Sequence, residues 1–323
     1  MPLVRHPENP ILTRADIPTF APHLVDVSSV FNPGAVRFRD RILLLLRVQN
    51  RGRETFLLRA ESDDGVRFLV RDREIVLDGI ERVPGPVFHV YDPRITPLEG
   101  AYFVTVALDT TAGCRVGVAR TEDFESFEFL GSAGDDDQRN GVLFPARIGG
   151  RYAMLTRPNR AARAGAPTTG ETITLVVSDD LRRWDVVADV AHGRPHYWDE
   201  WIGPGPPPLR TRDGWLLAYH GVATHFAGVN IYQAGLMLLG LVDPSRVLAR
   251  TRWNCLEPRE PYECTGQVPN VVFPSGWVAE KEDAEGFVLP ESRVLLYYGA
   301  ADTCVGLATA TVGEMLAACR AGA

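Results

Sequence analysis

One hairpin returns five times along this chain, and that repetition restricts the fold more than any other feature. FNPGAVRFRDRILLLLR, YDPRITPLEGAYFVTVA, LFPARIGGRYAMLTR, GPPPLRTRDGWLLAYHG and VFPSGWV with SRVLLYYGA each run from a Pro-bearing strand start through a turn into an apolar strand. With prolines as anchors, Pro33, Pro93, Pro145, Pro207 and Pro274 recur at intervals of 60, 52, 62 and 67 residues. LLRAESDDGVRF, VGVARTEDFESF and LVVSDDLRRW add a further strand, an acidic turn and an aromatic strand start to the first three units. Four strands per unit and five units predict an all-β chain folded as a five-bladed β-propeller. A β-sandwich also holds many strands, but it does not call for a fivefold recurrence. Only TVGEMLAACRA, residues 311–321, has helical periodicity, and a short C-terminal helix is expected there, with docking on a second copy as one use for it. AARAGAPTTG (161–170) and EKEDAEGFVLPE (280–291) are expected to be loops within the third and fifth units. Residues 1–323 are read as one propeller domain.

A propeller brings the innermost strand of each blade to one channel, so residues distant in sequence meet at its mouth. Strand starts supply Asn32, Tyr91, Asp92, Arg139, Asn140 and Asn270, and strand ends supply Arg47, Arg157, His220 and Asp302. HVYDPRIT (89–96) is the sharpest case. Asp and Pro are depleted in strands, so Asp92-Pro93 reads as the start of a strand with a carboxylate at a mouth. The bland alternative has Asp92 capping a turn and Arg94 pairing with it. Arg139 and Arg157 could likewise pair with Asp135 to Asp137, His220 could be a rim or core residue, and Asp302 a turn residue. Convergence on equivalent places of a repeat favours a binding site instead. Gly221, next to His220, is expected to let a ligand approach the backbone. Trp198, Trp201 and Trp215 read as packing residues or as a stacking platform for a ring, with Trp201 first among them.

Composition removes other classes. The chain carries 34 basic and 41 acidic side chains, a net charge of −7, which argues against nucleic-acid or anionic-membrane partners. Lys281 is the sole lysine and lies in a polar loop, a poor Schiff-base candidate. Cys114, Cys255, Cys264, Cys304 and Cys319 form no CxxC pair and no metal-ligand pattern. The opening MPLVRHPENPILTRADIP has no continuous apolar core and no later stretch holds 18 apolar residues, so a cytoplasmic protein is expected, with no metal and no membrane partner.

ENPIL, FNPGAV, YDPRIT, RNGVLFPARIGGRYAMLTRP, GWLLAYHGV, YQAGLMLLGLVDPSRVLARTR, GQVPNVVFP and YYGAADTCVGLA, in this order, resemble glycoside hydrolase family 130, the propeller family of β-mannoside phosphorylases and related mannosidases. The resemblance implies that Asp92 is the general acid and that Asn32, Arg47, Tyr91, Tyr232 and Asp302 bind the sugar. It implies a phosphate site of Arg139, Asn140, Arg157 and His220. Where the family's phosphorylases carry a Lys just before IGxGPxP, this chain has Trp201 in WDEWIGPGPPP, with Glu200 beside it. The expected reaction is inverting phosphorolysis of a terminal β-mannoside, β-1,4- or β-1,2-linked, with inorganic phosphate as co-substrate and no other cofactor. An inverting mannosidase using a carboxylate such as Glu200 is the alternative, and a non-catalytic glycan-binding propeller the third.

Overall fold

A computed structural model describes residues 2–322 apart from 21, 23, 135, 160–169, 226 and 227. The loop expected at 161–170 therefore lies, save Gly170, outside the described residues. Five antiparallel sheets follow one another around a channel. Their innermost strands are Val27–Phe38, Val87–Leu98, Gln138–Leu143, Trp201–Pro204 and Val272–Ala279. Each blade then runs outward strand by strand.

The apolar runs are continuous because each blade is covered on both faces. In the second strand of blade 1, Arg41–Asn50, Leu44 and Leu46 pack with Val278, Leu295 and Tyr297 of blade 5. Leu43 and Leu45 point the other way, onto Ile95, Val104 and Val106 of blade 2. The two-residue period of a strand thus feeds two cores at once, and RILLLLRV needs no polar face. Further cores fill the interfaces of blades 2 with 3, 3 with 4, and 4 with 5. The acidic turns have one device in common. Asp64, Asp123 and Asp180 each accept two backbone N–H bonds at 2.8–3.0 Å, and Ser62, Thr121 and Ser178 each accept another. These bonds satisfy turn amides that no ladder reaches.

Blade 5 is completed by the other end of the chain. Val4–Arg5 pairs with Cys304–Thr311 as its outer strand, so the ring closes by hydrogen bonds between the two ends. A buried ion pair holds this clasp. Arg5 Nε and Nη2 donate to Glu263 Oε1 and Oε2 at 2.8 and 2.7 Å, and Tyr298 Oη donates to Oε1 at 2.8 Å. The Glu263 side chain is fully buried, and although burial pushes its carboxyl up, the Arg5 and amide hydrogen bonds hold it below the usual range. Arg5→Met leaves that charge buried without its partner, so we expect a loss of about 3–5 kcal/mol in urea unfolding. A loss under about 1 kcal/mol would show that the clasp carries no such weight.

The C-terminal helix spans Val312–Arg320, capped by Thr311 and Glu314. Its apolar face, Val312, Met315, Leu316 and Cys319, is buried in the core between blades 4 and 5. That face is used within the chain, which removes it as a surface for a neighbour. The expected loop at 280–291 does lie between the two inner strands of blade 5. No described helix is long and apolar enough to cross a membrane.

Ladder register corrects the proline anchors. Gly34, Arg94, Val142 and Gly276 face Leu45, Thr105, Leu155 and Tyr297, and the Gly205 amide donates to the Ala218 carbonyl. The residues just before these are Pro33, Pro93, Gly141, Ser275 and Pro204. Pro145, Pro207 and Pro274 therefore lie off the equivalent position, because a proline placed near a strand start satisfies the local sequence without fixing the register.

Candidate active site

The site is built on a repeated backbone irregularity. Between Phe31 and Gly34, Tyr91 and Arg94, and Arg139 and Val142, the innermost strand holds one residue more than its neighbour. At each bulge sits an Asn or Asp with φ of 47–54°, namely Asn32, Asp92 and Asn140. These residue types tolerate the left-handed region, and the bulge re-aims the side chain toward the channel. On the neighbouring strands, the places two residues beyond those register partners hold Arg47, Ala107, Arg157, His220 and Gly299. A Cβ on Gly299 would lie 1.9 Å from Asn32 Oδ1, so only glycine admits Asn32 there.

A cavity of about 280 Å³ opens at this level. It is lined by Asn32, Arg47, Tyr91, Asp92, Arg139, Asn140, Arg157, Tyr232 and Asp302, nine of the ten residues expected to bind sugar or phosphate or to act as acid. Ala107, Asp109, Val268, Val271 and Phe273 complete its wall.

On one side lies Asp92. Its Oδ1 accepts from Asn32 Nδ2 at 3.0 Å and from Arg47 Nη1 at 2.9 Å. The Arg47 guanidinium is held between the Phe31 and Tyr91 rings, 4.4 Å from each centroid. Burial pushes the Asp92 carboxyl up, but the charges of Arg47 and Arg94 and the Asn32 bond more than reverse this, and it stays below its ordinary range. Arg94 does not pair with the Asp92 carboxylate. It donates to the carbonyls of Asp92, Pro93 and Gly205 at 2.9–3.2 Å, which ties the bulge to blade 4. Burial lowers its pKa to about 10, leaving it charged at neutral pH.

Asp302, with φ 50°, shares this side. Burial pushes its carboxyl up to about 6, against the pull of Arg47 and with the help of Asp92. A carboxyl raised on folding stabilises the native state at pH below its unfolded value, near 4, and loses that contribution as pH climbs through about 6. Asp302→Asn should therefore gain stability relative to the parent as pH rises from 4 to 6.5, by about 1–3 kcal/mol. Thermal melts across that window check it, and a constant difference would show that Asp302 ionises freely.

Two further cations, Arg139 and Arg157, line the same cavity. Arg157 is buried, donates to Asn159 Oδ1 at 3.1 Å and faces His220 Nε2 at 3.5 Å, and among the described residues no carboxylate pairs with it. Asp137 reaches it only through Asn159. Burial lowers the Arg157 pKa to about 10. Arg157 Nε, Arg139 Nε and Asn140 Oδ1 are buried without hydrogen-bond partners. Buried polar atoms left open in this number mark a place prepared for a ligand. Arg139 faces Asp109 at 3.7 Å rather than Asp136 or Asp137, and Asp135 lies outside the described residues.

Other residues singled out in the sequence lie off the cavity wall. His220 does not line the cavity: it is fully buried behind Arg157, against Phe273, and burial with the Arg157 charge keeps it neutral. Gly221 makes room for protein, since a Cβ there would lie 2.5 Å from the Trp198 ring and 2.6 Å from Asp199. Glu200 and Trp201 are not part of the cavity wall, and Trp201 is buried in the inner strand of blade 4 opposite Val222. The neighbouring Asp199 brings no free charge, because Arg194, Arg250 and Tyr219 surround it. Trp198 and Trp215 are packing residues, on Tyr219 and Phe144. Among the described residues no group of three or more His, Cys, Asp or Glu could hold a metal ion.

Comparison with known proteins agrees with this geometry. A family model described as beta-1,4-mannooligosaccharide phosphorylase, that of glycoside hydrolase family 130, matches residues 2–321. The beta-1,4-mannooligosaccharide phosphorylase of Ruminococcus albus is 30% identical over 318 residues, 97% of this chain and 89% of that protein. The 1,2-beta-oligomannan phosphorylase of a Thermoanaerobacter species is 30% identical over 295 residues, 87% of this chain and 89% of that one. The structure of the beta-1,2-mannobiose phosphorylase of Listeria innocua, in complex with beta-1,2-mannobiose, aligns with a TM-score of 0.84 at 26% identity, covering 99% of this chain and 100% of the other. A match that spans nearly the whole sequence and a propeller that superposes end to end place the chain in glycoside hydrolase family 130.

Proposed function

We propose that the protein is an inverting β-mannoside phosphorylase. The observation that carries this reading is Arg157, a buried cation with no carboxylate partner among the described residues, facing the same cavity as Asp92. Arg139 and Asn140 widen this pocket, and arginine suits it because its planar fork matches phosphate and stays charged. His220 supports Arg157 from behind. Phosphate placed there attacks the anomeric carbon of a terminal β-mannosyl unit, and the glycosidic C–O bond breaks. The leaving oxygen takes a proton from Asp92, directly or through a sugar hydroxyl, and α-mannose 1-phosphate results. In the empty site Arg47 and Asn32 hold Asp92 ionised. A bound phosphate offsets the cationic field and raises its affinity for the proton, which links nucleophile and acid. Asn32, Arg47, Tyr91, Tyr232 and Asp302 hold the sugar.

Asp109 gives a second reading, an inverting mannosidase, because it is a cavity carboxylate beside the cationic side that could activate water. β-1,4- and β-1,2-mannobiose, each incubated with and without inorganic phosphate, separate the two. Phosphorolysis predicts turnover of at least one disaccharide only with phosphate. Release of free mannose at the same rate without phosphate would replace it with the mannosidase, and binding without turnover by either would leave a lectin. Inorganic phosphate is the one co-substrate proposed. The five free thiols suit a reducing compartment, and we read the enzyme as cytoplasmic.

A further inference from the structure

The two arginines of the cationic side are not equivalent. Arg157 has no carboxylate among the described residues, whereas Arg139, with 37% of its side chain exposed, faces Asp109 Oδ1. At 3.7 Å that contact is too long for a hydrogen bond, so charge holds the pair and does not orient the guanidinium. Asp109 is itself fixed, because its Oδ1 accepts from Tyr91 Oη at 2.8 Å. Tyr91 is held in turn against Arg47. Asp109 therefore cannot follow Arg139 when that side chain turns toward another anion.

We propose that Asp109 is an internal counter-ion of Arg139 that an incoming anion must displace, which makes it a residue that sets phosphate affinity. The inference rests on the phosphorylase reading. Phosphate bridging Arg139 and Arg157 must take Arg139 from Asp109 and then sit beside a carboxylate that cannot withdraw. The repulsion lowers affinity and falls more heavily on a dianion than on a monoanion. The same arrangement keeps Arg139 neutralised when the pocket is empty.

The test is titration of the free enzyme with inorganic phosphate by calorimetry. Asp109→Asn keeps an acceptor for Tyr91 Oη and removes the charge, and it should bind phosphate about three- to tenfold more tightly than the parent. Asp109→Ser removes the same charge and should move the same way, so a folding defect in one variant does not decide the matter. Asp109→Glu keeps the charge and should bind near the parent level. Added sodium chloride should shrink the gain of the neutral variants. Neutral variants that fold normally and bind phosphate equally or less tightly overturn the proposal while leaving phosphorolysis standing. If the parent binds no phosphate, cleaves mannosides without it, and loses that cleavage in Asp109→Asn, the phosphorylase reading itself falls and Asp109 is the base of a hydrolase.

Discussion

Asp92→Asn should lower kcat/KM for a β-mannoside about a thousandfold while the propeller stays folded. Asparagine accepts the left-handed backbone at φ 52°, as Asn32 and Asn140 do at the same place in blades 1 and 3. Its amide oxygen can still accept from Arg47, so the cost to stability is small. What is lost is the only proton carrier that Arg47, Asn32 and the bulge hold in place. The loss should shrink for an aryl mannoside, whose leaving oxygen needs little protonation. Equal losses on both substrates would mean that Asp92 binds the sugar without protonating it, and a loss under tenfold on the disaccharide would remove it as the acid.

Arg157→Met should raise the phosphate KM or abolish saturation, costing about a hundredfold or more in kcat/KM for phosphate. Direct binding of mannobiose, read by calorimetry without phosphate, should change little because Arg157 is assigned to the phosphate and Asn32, Arg47, Tyr91, Tyr232 and Asp302 to the sugar. Stability should hold or rise. Arg157 is buried with Asn159 and His220 beside it and, among the described residues, no carboxylate to offset its desolvation, and methionine of similar reach removes that cost. A large fall in Tm with unchanged phosphate kinetics would make Arg157 a structural residue.

The ring of blades was legible because it rests on local signals: a turn every hairpin, an apolar run after it and an acidic Ser/Thr-x-Asp turn between the two outer strands of blades 1 to 3. Register was not legible. Pro33 and Pro93 sit beside the bulges, but blade 3 places Gly141 there, and Pro145 lies four residues on. A bulge shows only once the neighbouring strand is in place. The clasp of Arg5 with Glu263 joins residues 258 apart and leaves no local pattern. Residues of the site that project from bulges and strand ends were legible as polar interruptions of a repeat. Asp109, by contrast, reads as an ordinary turn residue in LDTTAG, and its role needs Tyr91 and Arg139 beside it in space. In sequence, His220 and Gly221 read as the end of an apolar strand, but the strand runs on to Thr224. The structure turns that strand so that His220 backs Arg157 and Gly221 receives Trp198. Trp201 packs within blade 4, and the cation of the pocket without a carboxylate among the described residues is Arg157.

Phosphorolysis makes phosphate the nucleophile, and a time-resolved NMR spectrum of the protein acting on β-mannobiose in phosphate buffer tests this most directly. It predicts a ³¹P signal of α-mannose 1-phosphate from the first turnovers, growing in step with loss of the disaccharide, and no cleavage when phosphate is replaced by a non-coordinating buffer. Free mannose as the first product, with no sugar phosphate formed, would contradict it.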